Sequence, residues 1–137
     1  MTKKILFLIL STLYLSSPAC ADAAGYNCKI LEINKLGADG KFSQENGIYA
    51  QLIGKSFTVD RETGKTVGSP FSNDSYREVK VLDKGSSESS YKHIVISHEP
   101  NIWVQYLYVQ EFEKGLDKPF WGTDDGNKIF SGICNAA

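Results

Sequence analysis

Two histidines are the side chains of this chain best suited to metal or acid–base chemistry. A zinc site needs three or four suitable ligands, and His93 and His98 lie five residues apart. In a strand, an odd spacing points two side chains to opposite faces. The spacing therefore predicts two ordinary polar histidines. A serine–histidine–aspartate triad would form from spatial neighbours only, so the sequence leaves that alternative open.

Serines and carboxylates form two local clusters. The cluster Ser86, Ser87, Ser89 and Ser90 contains no G-x-S-x-G motif and indicates a flexible loop. The cluster Asp124-Asp125-Gly126-Asn127 offers oxygen ligands for calcium, but it lacks a closing glutamate and is typical of a turn. The glycine motifs that bind phosphate are also missing. We therefore predict a non-enzymatic protein with no catalytic residue, no metal site and no cofactor.

Aromatic residues give the strongest indication of binding. Phe120 and Trp121 stand between Pro119 and Gly122, in a segment (113–122) that we predict to be a loop. Two large rings in a loop either cap an open end of the fold or form a binding patch. Aromatic anchors within a polar rim are typical of interaction hot spots. The candidate binding residues are Phe120, Trp121 and Trp103.

The first residues have the pattern of an export signal. Lys3 and Lys4 precede an apolar run (5–15), which is followed by Ala19-Cys20-Ala21. A basic start, a short apolar run and an A-x-A triplet predict a secretory signal peptide, residues 1–21, and a mature domain, residues 22–137. The run is too short to span a membrane. Lipidation at Cys20 is a less favoured alternative, so the predicted location is periplasmic or secreted.

The mature chain would keep two cysteines, Cys28 and Cys134. In an exported protein, two cysteines allow one intramolecular disulfide. Because bonded cysteines need Cα atoms within about 7 Å, the first and last strands should be neighbours.

Short runs rich in valine, isoleucine, tyrosine and phenylalanine predict an all-β fold. About eight strands at regular spacing predict a single antiparallel barrel or sandwich. The segment 65–67 pairs with 57–60 in a hairpin that places Gly64 at positive φ, and 47–53 is a weaker strand. In the longest predicted strand, 102–112, the even-numbered side chains are expected to face the core. The remaining predicted strands are 26–36, 76–82, 91–97 and 128–134.

The formal net charge of −1 gives the chain no electrostatic attraction for a phosphate backbone, so nucleic acid is excluded as an expected partner. Three runs, 57–65, 81–87 and 132–134, resemble small exported bacterial proteins of unassigned function. The start Tyr26-Asn27-Cys28 is also similar to that of periplasmic lysozyme inhibitors of the small β-barrel type. That second resemblance implies a disulfide and inhibition, although the serine–glycine loop that those inhibitors insert into lysozyme has no clear counterpart here.

These observations together predict a non-catalytic binding or structural protein of the cell envelope. The expected partner is an unknown protein or envelope component. The alternative is a proteinaceous inhibitor of an envelope-degrading hydrolase such as lysozyme.

Overall fold

The computed structural model describes residues 24–73, 77–98, 101–124 and 126–137. The predicted signal peptide and Cys20 lie outside these residues, as do Tyr76 and Asp125. Among the described residues, no helix combines the length and apolar character that spanning a bilayer requires.

The described residues form nine β-strands and one short 3-10 helix, and the all-β prediction is confirmed. Backbone hydrogen bonds pair the strands, and most strands alternate between residues that face the core and residues that face outward, whereas all three residues of β2 are exposed. The strands are β1 (Gly25–Leu36), β2 (Phe42–Gln44), β3 (Ser56–Asp60), β4 (Thr66–Val67), β5 (Glu78–Lys84), β6 (Tyr91–Ser97), β7 (Trp103–Val109), β8 (Asp117–Thr123) and β9 (Lys128–Ala136).

All nine strands belong to one antiparallel sheet, which curls into a half-barrel. Eight of them follow the order β4-β3-β1-β9-β8-β7-β6-β5, and β2 pairs with β1. The terminal strands β1 and β9 are therefore neighbours in the middle of the sheet. Cys28 lies directly opposite Cys134 in this pair, and the two form a disulfide. The predicted disulfide between terminal strands is confirmed.

Two local predictions are wrong and one is confirmed. Residues 48–52 form the 3-10 helix instead of a strand. The segment 113–122 was expected to be a loop, yet most of it lies in β8. Pro119 is compatible with β8, because its carbonyl accepts a hydrogen bond from Gln110 while the side chains beside it alternate between core and surface. The hairpin of β3 and β4 is confirmed, with Gly64 at a φ of +71°.

The expected core face of β7 is also wrong. The odd-numbered residues Gln105, Leu107 and Val109 are buried, whereas Tyr106 and Tyr108 face outward and are half-buried. The reason is that both faces of this strand are largely apolar, so alternation alone does not distinguish them. The concave face of the half-barrel packs around a core of buried side chains: Tyr26, Ile30, Ile33, Phe57, Val59, Phe71, Tyr91, Leu107, Val109, Phe120 and Phe130.

Candidate functional site

Trp121 lies on the outer face of the sheet. Its neighbours in β8, Phe120 and Gly122, point into the core, so the pleat turns Trp121 outward. The side chain of Trp121 is 38% exposed. An exposed tryptophan on a strand is held more rigidly than one on a loop, which lowers the entropy that binding would cost.

Two tyrosines of β7 flank this tryptophan, and we call Trp121, Tyr106 and Tyr108 the Trp121 patch. The ring centroids of Tyr106 and Tyr108 lie 5.1 Å and 5.8 Å from that of Trp121. Tyr108 is the direct cross-strand partner of Trp121. Burial raises the pKa of Tyr106, so its hydroxyl is neutral at physiological pH. The patch therefore offers three neighbouring aromatic rings on the outer face of the sheet.

The surroundings of the patch are apolar on one side and charged on the other. Ile94 is the cross-strand partner of Tyr106, and Val104 lies on the same face with 39% of its surface exposed. At the other side, the Lys92 ammonium lies 6.0 Å from the Tyr108 ring centroid and pairs with Asp83 at 3.3 Å. An apolar centre with a charged rim has the composition of a protein interaction surface.

Phe120 is not available for binding. Its side chain is only 3% exposed and packs edge-on against Phe57, with 5.3 Å between the ring centroids. Alternation along β8 is the physical reason, because residues 120 and 121 must point to opposite faces. The structure therefore corrects the prediction for Phe120 and leaves Trp121 on the surface.

Trp103 and Trp121 lie on opposite faces of the sheet. Trp103 shares the inward face of β7 with Gln105 and Leu107, at the end of the half-barrel where β7 begins. The guanidinium carbon of Arg77 lies 4.4 Å from the centroid of the Trp103 ring. The candidate residues thus separate into a core residue, a surface residue and a residue that lines an end of the fold.

The two histidines have different environments. His93 is 1% exposed, and its Nδ1 is 3.0 Å from the Tyr91 hydroxyl. Burial lowers the pKa of His93 to about 4. His98 is exposed and lies 3.2 Å from a carboxylate oxygen of Glu78. At neutral pH His93 is therefore an uncharged core residue.

The serine cluster forms a short loop between strands, and Asp124 contacts a nearby backbone N–H group. The Ser86 hydroxyl oxygen accepts hydrogen bonds from the backbone N–H groups of Glu88 and Ser89, both at 3.1 Å. The Asp124 carboxylate accepts one from the backbone N–H of Gly126 at 3.2 Å. Within the described part of the chain, no group of three or more histidine, cysteine or acidic side chains is placed to hold a metal ion.

A polar cluster around the buried Arg61 was not among the residues predicted from the sequence. Its guanidinium donates hydrogen bonds to the carbonyls of Lys84 and Gly85 and lies 3.9 Å from a Glu111 carboxylate oxygen. The Tyr26 hydroxyl donates to the other Glu111 oxygen at 2.8 Å. Burial and this hydrogen bond raise the pKa of Tyr26 well above its usual range. The cluster joins the hairpin of β3 and β4 to the end of β5, across the open side of the curled sheet.

The Arg61 cluster gave no signal in the sequence, because Arg61 belongs to a polar run, Asp60-Arg61-Glu62-Thr63-Gly64, that is typical of an exposed turn. The two carbonyls that accept hydrogen bonds from Arg61 belong to residues 23 and 24 positions further along the chain. Only the curl of the sheet brings them together.

Comparison with known proteins adds no assignment. No family model, curated protein sequence or solved structure matches this chain. The resemblances described above therefore rest only on the residues quoted for them.

Proposed function

We propose that this chain is a non-catalytic binding protein of the cell envelope or exterior, and that it contacts a protein partner through the Trp121 patch. The single observation that carries the proposal is the packing of Trp121 between Tyr106 and Tyr108 on the outer face of the sheet. Tryptophan and tyrosine are enriched among the residues that dominate the free energy of protein association.

The absence of catalysis in this proposal is supported by the environments of the chemically active side chains. His93 is buried with its Nδ1 at the Tyr91 hydroxyl, so it is poorly placed to exchange protons with a substrate. Arg61 and Glu111 are engaged by Tyr26 and by backbone carbonyls. These contacts favour a structural role for the polar groups.

The proposed location is supported by the disulfide between Cys28 and Cys134. Disulfides persist mainly in oxidising compartments, such as the bacterial periplasm or the exterior. The predicted signal peptide points to the same compartments. Sequencing the amino terminus of the secreted protein by mass spectrometry tests this, with Asp22 or Gly25 expected as the first residue. A retained Met1 or an acylated Cys20 would contradict it.

The binding surface is tested by replacing Trp121 with alanine. We expect captured partners from a periplasmic or host-derived extract to be bound at least about 30-fold more weakly, because truncating a hot-spot tryptophan costs ~2 kcal/mol or more. The matched control is Phe42→Ala on β2, where another aromatic side chain is 54% exposed.

Equal capture by the Trp121→Ala and Phe42→Ala variants would refute the assignment of the surface. Thermal unfolding of both variants separates an effect on binding from an effect on folding. Truncating a buried tryptophan costs about 3–5 kcal/mol of stability. Truncating a surface tryptophan that binds a partner should cost much less stability and should weaken binding.

Inhibition of an envelope-degrading hydrolase is the second candidate. It is favoured by the Tyr26-Asn27-Cys28 start together with the Cys28–Cys134 disulfide, the two features that carry the resemblance to small periplasmic inhibitors. A lysozyme lysis assay with added mature protein tests it directly. If the wild-type protein slows lysis and the Trp121→Ala variant does not, the Trp121 patch is the surface that inhibits lysozyme. If the wild-type protein leaves the rate of lysis unchanged, lysozyme is excluded as the target.

A further inference from the structure

The residues between β2 and the 3-10 helix, 45–47, form a corner that contains the dipeptide Asn46-Gly47. Asn46 is exposed. Glu45 precedes it and is only 8% exposed, and one of its carboxylate oxygens accepts a hydrogen bond from the Gly47 N–H at 2.5 Å. The backbone nitrogen that follows an exposed asparagine is therefore bonded to a carboxylate.

The backbone is held in place on both sides of this corner. The N–H of Glu45 donates to the Ile33 carbonyl of β1 at 2.9 Å. The carbonyl of Gly47 accepts from the N–H of Ala50, in the 3-10 helix, at 3.0 Å. These bonds fix the two ends of the corner, so the Glu45 carboxylate stays beside the Gly47 nitrogen in the folded protein.

Glycine at position 47 makes the contact with the carboxylate possible. Its φ of −88° lies in a range open to every residue, so this φ does not by itself require glycine. A Cβ at this position would lie 2.6 Å from the same Glu45 oxygen. The missing side chain therefore leaves the nitrogen accessible to the carboxylate. It also removes the bulk that hinders attack by this nitrogen on the Asn46 side chain.

We propose that Asn46 is a site of intramolecular deamidation and that the Glu45 carboxylate acts as the base. As the carboxylate takes the proton of the Gly47 N–H, the nitrogen attacks the Asn46 Cγ. A bond from this nitrogen to Cγ forms, and the bond from Cγ to Nδ2 breaks. The proton passes from Glu45 to the departing amide nitrogen, which leaves as ammonia, and the chain keeps a succinimide ring. Water then opens the ring to aspartate or isoaspartate.

Two effects favour this reaction at Asn46. The nucleophile and the amide belong to adjacent residues, so no encounter with a second molecule is needed for ring closure. A positioned base accelerates such a step by roughly 10²–10⁴-fold. Asn34 and Asn127 serve as internal references, because each precedes a lysine, whose side chain hinders the attacking nitrogen.

The products change the corner in two ways. Aspartate places a second carboxylate next to that of Glu45, and isoaspartate adds a methylene group to the main chain between β2 and the 3-10 helix. β2 pairs with β1, whereas the Trp121 patch lies on β7 and β8. The modification is therefore independent of the proposed binding surface, and the Trp121→Ala variant should react at the wild-type rate.

Incubation of the freshly purified mature protein at pH 7.5, well below its unfolding temperature, tests the proposal. Mass spectrometry after proteolysis follows the replacement of each amide by a carboxyl group, and electron-based fragmentation distinguishes aspartate from isoaspartate. We expect Asn46 to react at least about tenfold faster than Asn34 or Asn127, because only its reaction has a positioned base. Either product at Asn46 supports the proposal.

Three variants connect the reaction to the corner. Glu45→Gln keeps the size of the side chain and removes the base, so the reaction of Asn46 should slow at least about tenfold. Gly47→Ala should also slow it, because the new Cβ displaces the carboxylate and hinders the nitrogen. The matched control is Glu88→Gln, which removes an exposed glutamate between β5 and β6 and should leave the rate unchanged.

A comparison of folded and unfolded wild-type protein decides the proposal if the Glu45→Gln variant does not fold, which thermal unfolding reveals. In guanidinium chloride the dipeptide remains but Glu45 is no longer held beside Gly47, so Asn46 should react more slowly than in the folded protein. Equal rates at Asn46 and the two reference asparagines would overturn the proposal. So would an equal or faster reaction in the folded Glu45→Gln variant or in the unfolded wild-type protein, because the hydrogen bond from Gly47 would then protect Asn46 or have no effect.

Discussion

His93 makes the stability of this fold depend on pH. The side chain is buried between its strand partners Val81 and Leu107, and the Tyr91 hydroxyl lies 3.0 Å from its Nδ1. Burial disfavours the charged imidazolium, so the pKa of His93 falls from 6.5 to about 4. The substitution His93→Gln removes the titrating ring and keeps a polar side chain.

The sign and size of the effect follow from proton linkage. Because the pKa of His93 is lower in the folded state than in the unfolded state, the unfolded state binds more protons between these two values. The contribution of the neutral His93 to the free energy of unfolding is therefore fully present above about pH 6.5. It is lost as the pH falls towards 4. The difference between 6.5 and about 4, at about 1.4 kcal/mol for each pH unit, amounts to about 3 kcal/mol.

Urea unfolding from pH 7.5 to 4.5 measures this dependence. Most of the 3 kcal/mol should be lost from the free energy of unfolding of the wild-type protein over this range, and the His93→Gln variant should be nearly flat. The matched control is His98→Gln, which removes an exposed histidine whose surface contact with Glu78 should change the pH profile far less than His93→Gln does. Measurements stop at pH 4.5 because hydrogen bonds lower the pKa of the Asp60 and Asp83 carboxyls, which lose their contribution to stability at lower pH.

Two results would refute this reasoning. The first is a wild-type free energy of unfolding that stays constant between pH 7.5 and 4.5. The second is a free energy of unfolding of the His93→Gln variant that falls as steeply with pH as that of the wild type. This result would assign the pH dependence to other groups.

Three further changes should alter stability by different mechanisms. Replacing Cys28 and Cys134 by alanine should lower the free energy of unfolding by about 4–5 kcal/mol, as measured by urea unfolding, because the lost disulfide closes a loop of more than 100 residues. Arg61→Met should cost about 3 kcal/mol in the same assay, since it leaves the carbonyls of Lys84 and Gly85 without their charged donor. Gly64→Ala should lower the melting temperature more than Gly40→Ala: both glycines have positive φ, but only at Gly64 would the new Cβ lie 2.7 Å from a Val79 methyl group. An equal effect of the two alanines would contradict the steric part of that argument.

The strand content and the disulfide could be predicted from the sequence because both depend on local signals. Valine, isoleucine and aromatic runs between turn residues identify strands, and two cysteines in a predicted exported chain have one possible pairing. The 3-10 helix at 48–52 was missed because an apolar run of that length fits a strand equally well. β8 was missed because Pro119 and Gly122 are usual signals for a loop.

The candidate site could be predicted only in part. A loop would have allowed Phe120 and Trp121 to act together, whereas a strand forces them to opposite faces, so identifying β8 decides which of the two is exposed. The Arg61 cluster could not be predicted, because its members come from distant segments that meet only in the curled sheet.

The register of β7 and β8 explains why this sheet presents two separate surfaces. Trp121 pairs with Tyr108, and their side chains share the outer face. Trp103 lies five residues before Tyr108 on the same strand, an odd spacing that places it on the inner face. Any partner that contacts both tryptophans would have to reach around the end of the sheet. Because successive side chains of a strand alternate between faces, a one-residue shift of β7 against β8 would exchange the residues that form each surface.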